Sequence, residues 1–143
     1  MAVNNDPVFG KDPRNVSASV TAANAVFDGT GTITRICSAS GNGSIVTSLT
    51  VLPGGPCSAQ NFILYGSPDN GATWTVKAVG AIPLYTYTTT GLPTMLTIIS
   101  RGDTNSGYML QGGSTTGVYG ALGFTISVNT ASGIKVSAEI ADI

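Results

Sequence analysis

Side chains able to do acid–base chemistry are few in this chain: seven Asp and Glu, six Lys and Arg, and no histidine among 143 residues. Without histidine the usual general base, the physiological proton switch and the commonest metal ligand are all missing. The constellations that remain are thin. Arg14, Arg35 and Arg101 have no spacing that signals a shared site. Paired carboxylates for glycoside hydrolysis are scarce, because most of the acids sit in turn sequences. Asp103 and Asn105 could supply loop oxygens to calcium, but without EF-hand spacing. Arg101-Gly102-Asp103 spells an integrin-type tripeptide that a Gly-Asp turn explains as well. Tyr85 and Tyr87 alternate onto one face and could stack on a sugar ring, or pack against a neighbouring subunit. These residues predict no enzyme, no cofactor and no metal.

The strongest local pattern is structural. Ser67-Pro68-Asp69-Asn70-Gly71-Ala72-Thr73-Trp74 matches the Asp-box, Ser-x-Asp-x-Gly-x-Thr-Trp, at each fixed position. Asp69 can accept backbone N–H groups across a turn. Gly71 can take the positive φ that closes it, and Trp74 can bury an apolar face under the loop. The motif resembles the Asp-boxes of sialidases. Those proteins repeat the box, whereas this chain carries it once, so the resemblance predicts a hairpin over 62–79 and implies no catalysis.

The elements holding these residues read as strands. Turn signals at Asp28-Gly29-Thr30-Gly31, Gly41-Asn42-Gly43 and Pro53-Gly54-Gly55-Pro56 punctuate short alternating runs. Strands are expected over 17–26, 32–39, 44–52, 84–90, 95–100, 108–111, 118–129 and 134–140, besides the two arms of the hairpin. In the second run Ile33, Arg35 and Cys37 are set on one face. In the third, Ile45, Thr47, Leu49 and Val51 share a face. Phe124, Ile126 and Val128 are expected to point inward, as are Ile134, Val136, Ala138 and Ile140. About nine short strands without a helical period predict an all-β single domain, a β-sandwich or jelly-roll-like barrel. It spans 17–143 behind an extended, irregular arm, 1–16, broken by Asp6-Pro7 and Asp12-Pro13. The arm either lies across a neighbour or is a frayed terminus.

Composition points to covered surfaces. Only 9% of residues are charged, against roughly 25% in ordinary soluble domains, while mean hydropathy is +0.27. A net charge of −1 argues against nucleic acid and anionic membranes as partners. No run reaches the roughly 20 apolar residues of a membrane span. A lone monomer of this composition invites self-association, so an assembly is expected. Cys37 and Cys57 fit small buried apolar positions, and whether they pair is left open. The opening residues lack the basic and apolar regions of a signal peptide, so synthesis and retention in the cytoplasm, or packaging there, is expected.

Asn5-Asp6-Pro7-Val8-Phe9, Ala22-Ala23-Asn24, Asp28-Gly29-Thr30-Gly31-Thr32-Ile33 and Gly41-Asn42-Gly43-Ser44-Ile45 together resemble the opening of short virion proteins of tailed bacteriophages, including cyanophages. The likeness covers about the first 55 residues. Such proteins are head decoration (cement) proteins or small parts of head spikes and tails. The resemblance implies a structural virion protein, most simply a homotrimer or dimer on the outer capsid surface, clamping the major capsid protein. Val3, Pro7, Val8, Phe9, Pro13 and Arg14 of the arm are the expected capsid contacts. The Asp-box loop and the loops 101–107 and 112–117 are the expected exposed tips. The alternative is a carbohydrate-binding adhesion module of a spike or tail, using Tyr85, Tyr87 or Tyr108, or a small tail structural protein.

Overall fold

The computed structural model describes residues 12–24, 26–86, 91–99, 108–113 and 117–143. Nine strands are present: β1 (Asp12–Val20), β2 (Thr34–Ser38), β3 (Ser44–Pro53), β4 (Gln60–Ser67), β5 (Thr75–Ile82), β6 (Leu96–Ile99), β7 (Tyr108–Leu110), β8 (Ala121–Ile126) and β9 (Ile134–Asp142). One sheet runs β1-β9-β3-β6, with β7 also paired to β3; the other runs β2-β8-β4-β5. All the strand pairs are antiparallel.

This order is that of a jelly roll. The pairs β1–β9, β2–β8, β3 with β6 and β7, and β4–β5 make one long double strand whose tip is the Asp-box hairpin. Rolling it up adds the pairs β9–β3 and β8–β4. Among these pairs only β4–β5 joins strands consecutive in sequence. The expected all-β sandwich is therefore the observed fold.

The core lies between the sheets. Val20, Val46, Leu49, Val51, Val136 and Ile140 come from one sheet, and Ile36, Phe62, Leu64, Leu122, Phe124 and Ile126 from the other. Phe62 and Phe124 stack across β4 and β8 with ring centroids 5.3 Å apart. β9 keeps the expected alternation, with Ile134, Val136, Ala138 and Ile140 buried.

Elsewhere bulges break the period of two. In β3 the register shifts between Val46 and Ser48, so Val46 is buried before it and Leu49 and Val51 after it, while Ile45 is half-buried. The single face expected for Ile45, Leu49 and Val51 is thereby split. In β2 the shift between Arg35 and Cys37 buries both Ile36 and Cys37, so Ile36 joins Cys37 inside. Val128 follows the end of β8 and is exposed, not inward. Of the strand expected over 84–90, the described residues 84–86 show one bridge, Cys57 with Tyr85; residues 87–90 lie outside the described residues.

β1 begins at Asp12, inside the stretch expected to be an irregular arm, and pairs with β9 from Asp12–Asp142 to Val20–Ile134. Pro13 is tolerated because β1 is an edge strand, where a missing N–H faces outward.

A second layer covers the outside of the β2-β8-β4-β5 sheet. Ile63 and Tyr65 in β4, and Ala121, Gly123 and Thr125 in β8, point away from the main core yet are buried. The β1–β2 connection passes as a strap over Tyr65 and Gly123 of this face. Ala23 bridges Ile126, and Asn24 N–H donates to the Ile126 carbonyl at 2.8 Å. The Asn24 side chain donates to the carbonyls of Thr30 and Thr32 and accepts from Val26 N–H. The Tyr65 hydroxyl donates to the Val26 carbonyl at 3.2 Å. Trp74 and Ile33 press on Gly123, where a Cβ has no room.

Candidate interaction surfaces

The Asp-box loop is a closed hydrogen-bonded unit. Thr73 N–H donates to Asp69 Oδ1 at 2.8 Å and Thr73 Oγ1 donates to Oδ2 at 2.6 Å. Ser67 Oγ donates to Asp69 Oδ1 and accepts from Gly71 N–H, both at 2.8 Å. Asn70 and Gly71 carry the positive φ values, 59° and 89°, that turn the chain. The hydrogen bonds from Thr73, then from Ser67, hold the Asp69 carboxyl below its ordinary range. Ser67, Asp69, Gly71 and Thr73 are thus spent on the turn. Trp74 precedes β5 and is half-buried, with its ring against Gly71 of the loop as expected.

Arg35 ties this loop to β2. Its guanidinium donates to Asn70 Oδ1, to the Asn70 carbonyl and to Ser38 Oγ at 2.7–2.8 Å. Arg14 is also committed within the chain. It donates from Nε and Nη2 to the two oxygens of Asp142 at 3.1 and 3.0 Å, and from Nη2 to the Ser38 carbonyl at 2.9 Å. The structure places Arg14 in a clasp between the sheets. Arg14 and Arg35 both reach Ser38, one at its carbonyl and the other at its hydroxyl, and Arg101 lies outside the described residues.

Of the other expected contacts, Pro13 is exposed on β1, while Val3, Pro7, Val8 and Phe9 lie outside the described residues, as do Tyr87 and the loop 101–107. Tyr85 is half-buried and packs against the main core. Asp103 and Asn105 are likewise outside them. Among the described residues no group of three or more His, Cys, Asp or Glu could hold a metal, and no helix is long and apolar enough to cross a membrane. Cys37 and Cys57 are both buried free thiols. Burial pushes the Cys37 thiol up to about 11.

Three surfaces remain. The outer face of the β1-β9-β3-β6 sheet is hydroxyl-rich: Ser17, Ser137, Thr50 and Thr97 form one row across four strands. A shallow depression of about 300 Å³ there is lined by Asn15, Ser48 and Glu139 among others. A groove of about 230 Å³ between the Asp-box hairpin and β7 is lined by Gly66, Thr75, Lys77, Tyr108 and Gln111 among others. The third surface is apolar and lies along β5 and the segments flanking β6. Val79 is 69% exposed, Leu84 65%, Leu92 89% and Met95 57%. A cleft of about 350 Å³ opens between Val79 and Ala81 on β5 and Leu96 and Ile98 on β6.

The apolar edge escaped sequence reading because its residues look like ordinary core-facing ones. The buried outer face of β4 did have a signal: Phe62-Ile63-Leu64-Tyr65 is continuous rather than alternating, as in a strand covered on both sides.

No protein-family model and no curated protein matches this chain. Among solved structures, a chain from the structure of infectious bursal disease virus (Gx strain) aligns at 12% identity with a TM-score of 0.20. The alignment covers 99% of this chain, which spans 45% of the viral chain. A score that low relates neither the folds nor the functions.

Proposed function

We propose that this chain is a structural virion subunit, a decoration protein that binds the outside of a tailed-phage head. The observation that carries the reading is the exposed apolar edge formed by Val79, Leu84, Leu92 and Met95 in a chain with only 9% charged residues. Exposed apolar surface beside a cleft, as at Val79, marks a protein interaction site. The hydroxyl-rich sheet face offers further contact area, its hydroxyls able to hydrogen-bond a partner. The phage assignment comes from the likeness of the first 55 or so residues to phage virion proteins. The mechanism is binding: modest contacts repeated over a symmetric shell add through multivalency.

The test is to mix the purified chain with empty phage heads lacking it and pellet them. Co-sedimentation in a fixed ratio to capsid protein, with heads that then resist heating, is expected. A chain that stays in the supernatant at every concentration tried overturns the reading.

A further inference from the structure

The five outer strands differ in how they are guarded against pairing. β1 carries Asp12 and Pro13. β2 is five residues long, bulged, and bears Arg35. β6 and β7 have four and three residues. Each of these is a known device against edge-to-edge association. β5 has none over most of its length. It runs eight residues, and its one charge, Lys77, sits at the bulge near its start. Ala78-Val79-Gly80-Ala81-Ile82 follows uncharged. Among the described residues only β4 pairs with β5.

The direction of the free backbone groups can be deduced. The Asn61 carbonyl accepts from Ser127 N–H, and Asn61 N–H donates to Ser127 Oγ. Asn61 and Ile63 therefore turn their backbone groups away from β5, and Phe62 and Leu64 turn theirs toward it. The partners of Phe62 and Leu64 are Gly80 and Ala78. By the alternation of an antiparallel ladder, Val79 and Ala81 direct their N–H and C=O groups outward.

We propose that β5 pairs antiparallel with β5 of a second copy, about a two-fold axis at Val79, joining the two four-stranded sheets into one of eight. The strand is self-complementary in this register. Val79 exchanges two hydrogen bonds with its counterpart, and the two valine side chains cover each other. Lys77 then faces Ala81 of the second copy, so no like charges meet. Centring on Lys77 would oppose two ammonium groups, which is destabilising. Centring on Ala81 would bring in Pro83, which has no N–H. The contact is isologous and closes at two subunits. The inference rests on reading the chain as an assembling subunit, and names the surface by which it meets itself.

Light scattering on the full chain tests it. The wild type is expected at twice the 14.4 kDa chain mass. Val79→Lys sets two like charges across the axis, and Ala81→Pro removes an outward N–H that bonds nothing among the described residues. Each is expected at monomer mass with an unchanged melting curve. Val79→Glu alone is also expected to be monomeric, and mixing it with Val79→Lys restores the dimer. A monomeric wild type, a trimer, or a dimer indifferent to both Val79→Lys and Ala81→Pro overturns the proposal. Should Ala81→Pro fail to fold, the Lys and Glu variants at the exposed position 79 decide alone. Particle binding is scored separately. A wild-type monomer that co-sediments with heads sinks the dimer but not the decoration reading. A β5 dimer that ignores heads sinks the decoration reading but not the dimer.

Discussion

Arg14 and Asp142, 128 residues apart, meet in a two-pronged ion pair that joins the first strand to the last. The same guanidinium reaches the Ser38 carbonyl in β2, and Asp142 Oδ1 also accepts from Ser44 Oγ in β3 at 2.6 Å. One clasp therefore pins four strands from both sheets at a corner of the sandwich. Two-pronged arginine–carboxylate pairs are stronger than single contacts, but Arg14 is about a third exposed, which screens the pair. Arg14→Ala is expected to lower unfolding free energy by about 1–2 kcal/mol in urea titrations. An unchanged midpoint would show that the clasp contributes nothing.

Acid should loosen the same corner. Burial alone would raise the Asp142 carboxyl, but the Ser44 hydroxyl and Arg14 outweigh it and hold the group below its ordinary value. Asp28, through the Thr30 hydroxyl and N–H, and Asp69 are held low as well. Carboxyls depressed on folding add stability that is present above their unfolded value of about 4 and is lost as pH falls through their folded values. The melting temperature is expected to be insensitive to these groups from pH 7 to about pH 5 and to fall below pH 4. Asp142→Asn should shrink that acid-dependent drop. A drop of equal size in the variant would remove Asp142 from the account.

The strap gives a packing prediction. A Cβ at Gly123 would collide with Ile33 and the Trp74 ring, so Gly123→Ala should cost about 1–3 kcal/mol through overpacking. Tyr65→Phe deletes the one hydroxyl bonded to the Val26 carbonyl and should cost about 1 kcal/mol. Hydrogen exchange at Asn24, whose N–H is bonded to Ile126, should quicken in both variants. Unchanged exchange would mean that the strap is not held by this face.

The cysteines make a chemical prediction. Both are buried and unpaired, and the Cys37 thiol is pushed up to about 11, so little thiolate exists at pH 8. The native protein should react with a disulfide reagent far more slowly than the denatured protein, which should titrate two thiols. Reductant should leave the melting temperature unchanged. One equivalent or none after denaturation without reductant would contradict free thiols.

For Trp74, half-burial lowers the expected cost of Trp74→Ala below that of a fully buried ring, to about 2–3 kcal/mol. The ring still covers Gly123, so an unchanged melting curve would contradict the packing.

How much of this was legible in the sequence follows from the range of the interactions. The Asp-box hairpin was readable because its bonds span two to four residues; Ser67, Asp69, Gly71 and Thr73 determine the turn among themselves. β9 was readable because alternation over Ile134–Ile140 is unbroken. Nine short β runs and the lack of helical periods determined the all-β class. Low charge determined that the surface is polar without ions. The faces of β2 and β3 were not readable, because a bulge needs a partner strand before it can shift a register. The burial of Ile63, Tyr65 and Gly123 was decided by a strap more than thirty residues away in the chain. Arg14 looked like a free cation until rolling the double strand brought Asp142 beside it. The bare edge of β5 exists only because the roll leaves that strand outermost. Local bonds are written in neighbouring residues; pairing order, bulges and edges are settled when distant strands meet, and those meetings decide which surfaces this protein has left to offer.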